Sequence, residues 1–217
     1  MALELTIMKN KLSIRGRPKS SELPIRVEFI LDIATQVFLE SGFSKAKVID
    51  IAKRAGASKT TLYTLYPTKD ALFSAVISKK IEMLEKQLND SLKFEEELSL
   101  LLVGFGRKLI DTFLQDESRA LFNIIITEKH CFPELADFFW QAGPGKCIKT
   151  LSQCLEVHPE FTGNNVTVAA ETFISLCWGT YLLNSLITKN FHMSEEEINN
   201  HLIESVHVFS GRYCRKA

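Results

Sequence analysis

The chain has 217 residues, 46% apolar and 24% charged, a globular balance with enough apolar sequence for a core. Five cysteines exclude a disulfide-rich secreted scaffold, and Cys131, Cys147, Cys154, Cys177 and Cys214 form no CxxC pair, so no zinc site is expected. The net charge is zero, yet residues 1–80 hold 14 Lys+Arg against 7 Asp+Glu and the remainder holds 12 against 19. A basic N-terminal third joined to an acidic body points one end of the chain at a polyanion.

Residues 1–22 read as a polar, basic arm. Their apolar stretch is short, Glu4 interrupts it, and the lysines follow it, so a signal peptide is not expected. From Val27 the apolar residues Val27, Ile30, Leu31, Ala34, Val37 and Phe38 keep the helical period, and Ser41-Gly42 ends the helix. A short second helix carries Val48, Ile51, Ala52 and Ala55 on one face and breaks at Gly56. Ser58 is placed to cap a third helix, which stops near Tyr66 because Pro67 pushes its predecessor out of the α region. Thr68 then caps a long fourth helix over about 69–90, with Phe73, Ile77, Ile81, Leu84 and Leu88 on one stripe.

Further helices are predicted over 96–115, 117–129, 133–157, 165–189 and 195–214. The spacing Ser194-Glu195-Glu196-Glu197 is that of a capping box. Pro133, Gly143-Pro144-Gly145, Pro159 and Gly163 punctuate the loops. Alternating runs do not occur in series, so the fold class is all-α. The longest uncharged apolar run, Thr172 to Thr188, has 17 residues and carries Thr172, Ser175, Thr180, Asn184 and Ser185 within it. It falls short of a membrane span and reads as a helix buried in protein.

Residues 47–66 form a helix-turn-helix pattern. The first helix buries Val48, Ile51 and Ala52, and the turn needs the positive φ that Gly56 supplies. The second helix buries Leu62 and leaves Lys59, Thr60, Thr61, Tyr63 and Thr64 outward. Short donors, an aromatic hydroxyl and a cation suit base edges and phosphates in a major groove. Spacing alone leaves plain helical packing equally open.

The residues in this register are Gly42-Phe43, Asp50-Ile51-Ala52, Ala55-Gly56, Ser58-Lys59, Thr61-Leu62-Tyr63, Tyr66-Pro67 and Lys69-Asp70-Ala71-Leu72. Over about residues 24–72 the chain resembles the N-terminal domain of TetR/AcrR-family transcriptional regulators. Phe132-Pro133-Glu134-Leu135, followed by Gly143-Pro144, is similar to the C-terminal domain of one subgroup. The resemblance implies an arm over 1–22, a DNA-binding domain over 23–70, and a helical effector-binding and dimerisation domain over 71–217. Carried over by position, Thr61, Tyr63 and Thr64 face DNA, Lys69 reaches a phosphate, and Tyr66 wedges between helices 3 and 4. The sequence also departs from the family pattern. Ala46 and Lys47 stand where Thr or Ser is common, so Lys47 replaces a hydroxyl cap as a point charge. Thr60 stands where Gly is frequent and Leu65 where His or an aromatic is frequent.

In the arm, Arg15-Gly16-Arg17-Pro18-Lys19 resembles an AT-hook core, with Arg15 and Arg17 suited to a narrow A·T minor groove. In the body, Phe105, Phe113, Phe122, Phe139, Trp140 and Trp178 are the candidate lining of a pocket for a small, apolar effector, by resemblance. Cys147 and Cys154 share a helix face, which suits an apolar stripe better than redox sensing. The resemblance implies a homodimer through helices 165–189 and 195–214, with Gly179 allowing close approach and two recognition helices meeting a palindromic double-stranded operator. Effector binding would tilt helix 4 and release a repressor. No catalytic signature occurs (no GxSxG, HExxH, P-loop or GxGxxG), and no metal or cofactor is expected. The reading is a cytoplasmic DNA-binding regulator; the alternative is an all-helical carrier or enzyme without specific DNA binding.

Overall fold

The computed structural model describes residues 23–91, 97–188 and 191–214. These form the helices α1 (Leu23–Lys45), α2 (Val48–Arg54), α3 (Lys59–Leu65), α4 (Lys69–Ser91), α5 (Leu98–Leu114), α6 (Asp116–Glu128), α7 (Pro133–Ala142), α8 (Pro144–Val157), α9 (Val166–Ile187) and α10 (Glu195–Tyr213). The architecture is all-α: an N-terminal bundle containing the helix-turn-helix and a larger C-terminal helical body. By their internal packing the helices group into two compact units, the described residues of Met1–Lys79 with Ile124–Leu135, and of Lys80–Asn123 with Ala136–Ala217.

The first unit is built on the apolar face of α1. Ile30, Ala34, Val37 and Phe38 are buried together with Ile51 and Ala52 of α2, Leu62 of α3, and Leu72 and Phe73 of α4. Burying each large side chain is worth about 1.5–3 kcal/mol. Phe38, Phe43 and Phe73 pack as a ring cluster with centroids 4.9–5.8 Å apart, and Phe132 meets the edge of Phe43 at 4.7 Å. Gly42 leaves helical geometry at φ 71°, the expected break near the end of α1.

In the second unit, α5 lies against α9 and α10, and α9 also packs on α8. Leu101, Leu102, Phe105 and Leu109 of α5 meet Leu151 and Leu155 of α8, Phe173 and Cys177 of α9, and Leu202 and Phe209 of α10 in one core. The capping box is present: Ser194 Oγ accepts from Glu197 N–H at 3.2 Å and Glu197 Oε2 accepts from Ser194 N–H at 2.7 Å. Thr162 N–H donates to Tyr213 O at 2.8 Å, tying the end of α10 to the turn after α8.

Two expectations are corrected. The predicted helix 133–157 is two helices, because Gly143 at φ −96°, ψ −95° is non-helical and Pro144 starts a new one. The run read as too short for a membrane span belongs to the 22-residue α9, which is long and apolar enough to cross one by length and composition. Here α9 packs against three helices of the body. It is not one regular helix. Gly179 sits at φ 43°, ψ −139°, and the chain kinks there.

Candidate functional site

The helix-turn-helix is fixed by local chemistry. Gly56 adopts φ 62°, and Ala57 N–H donates to Ala52 O at 2.9 Å across the turn. Ser58 Oγ accepts from Thr61 N–H at 2.9 Å and caps α3. Leu62 is completely buried and holds α3 to the bundle. Tyr66, before Pro67, is extended at φ −135°, ψ 96° and ends the helix. Partial burial pushes the Tyr66 hydroxyl above its ordinary pKa. Thr68 Oγ1 then accepts from Ala71 N–H at 3.0 Å to start α4.

This leaves one outward strip on α3: Lys59, Thr60, Tyr63 and Thr64, all exposed. Lys59 Nζ lies 5.6 Å from the centre of the Tyr63 ring, so the cation rests on the aromatic face. Thr64 Oγ1 donates to Thr60 O at 2.9 Å, which leaves its methyl group and oxygen lone pairs to the surface. Thr61 is half-buried, and its hydroxyl lies 2.8 Å from Ser58 Oγ. Lys47 is exposed at the N-cap of α2 and makes no side-chain cap bond. Arg15 and Arg17 lie outside the described residues.

Lys69 sits differently from a free phosphate contact. Its Nζ donates to Phe43 O at 2.9 Å, Ser44 O at 3.1 Å and Ala46 O at 3.4 Å, and lies 4.6 Å over the Phe43 ring. The ammonium collects the carbonyls at the end of α1, where the helix dipole is negative. The same segment is gripped by Glu128, whose Oε1 accepts from the Ser44 amide at 3.1 Å and its hydroxyl at 2.7 Å. Neither Ser44 nor Glu128 stood out in the sequence, and 84 positions separate them.

In the second unit, Phe113 and Trp178 line a cavity of about 10 Å³ with Ile110, Cys177, Tyr181 and Met193 among its other walls. Phe122 continues the aromatic row, 5.8 Å from Phe113 and 5.3 Å from Phe139. Phe105 lies fully inside the core, and Trp140 is 59% exposed on α7. Tyr181 was missed, although it follows Trp178 by only three residues and lines the same cavity. Beside the cavity, His201 Nε2 lies 2.9 Å from Cys177 O and its ring meets Tyr181 edge-on at 4.6 Å. A carbonyl only accepts, so Nε2 carries the proton. Cys147 and Cys154 are buried free thiols, and burial pushes each up to about 11. That protonation suits an apolar stripe and opposes a reactive thiolate.

A short recognition helix, capped and turned in this way beside a three-helix core, defines a helix-turn-helix DNA-binding protein. The family described as "Bacterial regulatory proteins, tetR family" matches residues 30–76, and "AefR-like transcriptional repressor, C-terminal domain" matches residues 101–215. The chain is similar to the HTH-type transcriptional regulator YvdT of Bacillus subtilis (strain 168), 24% identical over 199 residues that cover 85% of this chain and 92% of that protein. Among solved structures it is similar to the Flavonoid-responsive Regulator FrrA, 32% identical, TM-score 0.77, covering 88% of this chain and 98% of that one. A TetR-family regulator of Mesorhizobium loti MAFF303099 has the same fold, with TM-score 0.80 and 21% identity over 92% of this chain and all of that one. The chain belongs to the TetR family of transcriptional regulators. It is a DNA-binding, dimeric regulator of the repressor type with an effector-responsive helical body, and not an enzyme.

Proposed function

We infer that α3 reads a palindromic operator through Lys59, Thr60, Tyr63 and Thr64, with Thr61 and Lys47 supporting its approach to the phosphates and Lys69 acting indirectly, by fixing the start of α4 against the end of α1. The observation that carries this reading is the outward strip itself: four exposed polar side chains on a helix whose other side is anchored by the buried Leu62. Arg15 and Arg17 of the arm follow the adjacent minor groove. The arm spans 1–22, the DNA-binding domain 23–70 linked through 69–90, and the effector and dimerisation domain 71–217. The protein works in the cytoplasm, where its operator is.

The dimer forms through α9 and α10. Their outer faces expose Leu183, Ile187, Ile203 and Val208, an apolar surface that a second copy would cover. Two copies then present their α3 helices to half-sites about one helical turn apart. The effector is a small, apolar, aromatic molecule of the flavonoid kind, the class to which the similar regulator FrrA is named as responsive. The row from Trp178 through Phe113 and Phe122 to Phe139 supports this class. Such a ligand releases the operator only by preferring the state of the dimer that cannot bind DNA.

Selection of bound sequences from a random duplex library tests the reading. An enriched palindrome supports it. Binding without enrichment that fades as salt rises is nonspecific phosphate contact and sinks it.

A further inference from the structure

Trp178 carries a buried polar atom with no counterpart. Its Nε1 is shielded from solvent and makes no hydrogen bond among the described residues. Nearly all buried donors in folded proteins are paired, and leaving one orphaned is costly. The same residue lines the cavity beside Phe113, Cys177, Tyr181 and Met193. Its ring lies 6.2 Å from Phe113 at 45°, at one end of the aromatic row.

The lining holds no charged side chain. A charged ligand would lose its hydration there without compensation, so the site selects a neutral molecule. The cavity, about 10 Å³, is far smaller than the ~300 Å³ or more of a typical ligand pocket, so a ring-sized ligand enters only when side chains part. The backbone is suited to that. The next residue is Gly179, where α9 leaves helical geometry, and His201 holds Cys177 O from α10. An arriving acceptor that satisfies the indole N–H stabilises the open arrangement, whereas an analogue lacking it leaves the donor orphaned.

We propose that Trp178 is the specificity-determining donor of the effector site, and that the ligand is a neutral aromatic molecule presenting a carbonyl oxygen to the indole nitrogen. This rests on the effector reading above and deepens it.

The test uses the full chain and two probes, flavanone and flavan, which share one skeleton and differ by a single ring carbonyl. The Trp140→Phe variant leaves Trp178 as the remaining indole, since the chain has two Trp residues. Flavanone is expected to quench its emission and to bind about tenfold more tightly than flavan, the worth of one desolvated hydrogen bond. Calorimetry on Trp178→Phe, checked for native helix content, should find both probes bound alike at the affinity of flavan. The flavanone-to-flavan ratio in the unmutated chain stands as a separate measurement if that variant fails to fold. Equal binding of both probes by the Trp178 protein, or discrimination that survives Trp178→Phe, overturns the role of Trp178 and leaves the aromatic effector intact. If neither probe binds, the effector reading fails and the proposal falls with it.

Discussion

The Nζ of Lys69 lies 2.9 Å from the carbonyl oxygen of Phe43 and 4.6 Å from the centre of the same residue's ring. One side chain thus joins the start of α4 to the end of α1 by a hydrogen bond and a cation–π contact. Replacing Lys69 with Met removes both and leaves three carbonyls short of a donor. Chemical denaturation should show a loss of about 1–2 kcal/mol. Wild-type stability, with only a shallower salt dependence of DNA binding, would return Lys69 to a pure phosphate contact.

Ser44 and Glu128 should behave as a coupled pair. The Ser44 amide and hydroxyl both donate to the Glu128 carboxylate, and ionised acceptors make the stronger hydrogen bonds. A double-mutant cycle with Ser44→Ala and Glu128→Gln should return a coupling of about 1–2 kcal/mol in urea unfolding. Strictly additive single effects would show that the contact is idle in solution.

Gly179 is required by its dihedral angles. At φ 43°, ψ −139° an alanine is strained, although a Cβ there would meet nothing closer than His201 Cε1 at 3.9 Å. Gly179→Ala should lower stability by about 1–3 kcal/mol. A more stable variant would mean that α9 prefers to run straight.

The buried thiols set an alkaline limit. Burial pushes Cys177 up to about 12 and Cys147 and Cys154 up to about 11, from an ordinary 9.0. All three are protonated in both states below that value. As pH rises above it the unfolded chain loses these protons first, so stability falls until the folded thiols also titrate. The urea midpoint should drop steadily between about pH 9 and pH 11. At pH 8 a thiol reagent should label exposed Cys131 quickly and the three buried thiols only on unfolding. A flat midpoint, or early labelling of Cys177, would contradict this.

What the sequence disclosed divides along the range of the interaction. Ser58, Ser194 with Glu197, Gly56 and Pro67 act within a few residues of themselves, so their caps, turn and stop were readable from order alone. The helix-turn-helix strip followed from one buried Leu62 at helical spacing. Lys69 with Phe43 and Ser44 with Glu128 were hidden because they join residues 26 and 84 positions apart. The division of 133–157 was signalled by Gly143-Pro144 and overridden by a continuing helical pattern. The kink at Gly179 carries no such signal. A glycine in an apolar helical run fits close packing and positive φ equally, and His201, which bridges to that point, comes from another helix.

The outward strip of α3 is proposed to read bases. The most direct test is the ratio of specific to nonspecific DNA affinity for the wild-type chain and for Tyr63→Ala, measured on the selected palindrome and a scrambled duplex at one salt concentration. Tyr63→Ala is expected to lose about 1–3 kcal/mol on the palindrome and almost nothing on the scrambled duplex. Equal losses on both, or an unchanged ratio, would show that Tyr63 only touches the backbone and that recognition lies elsewhere.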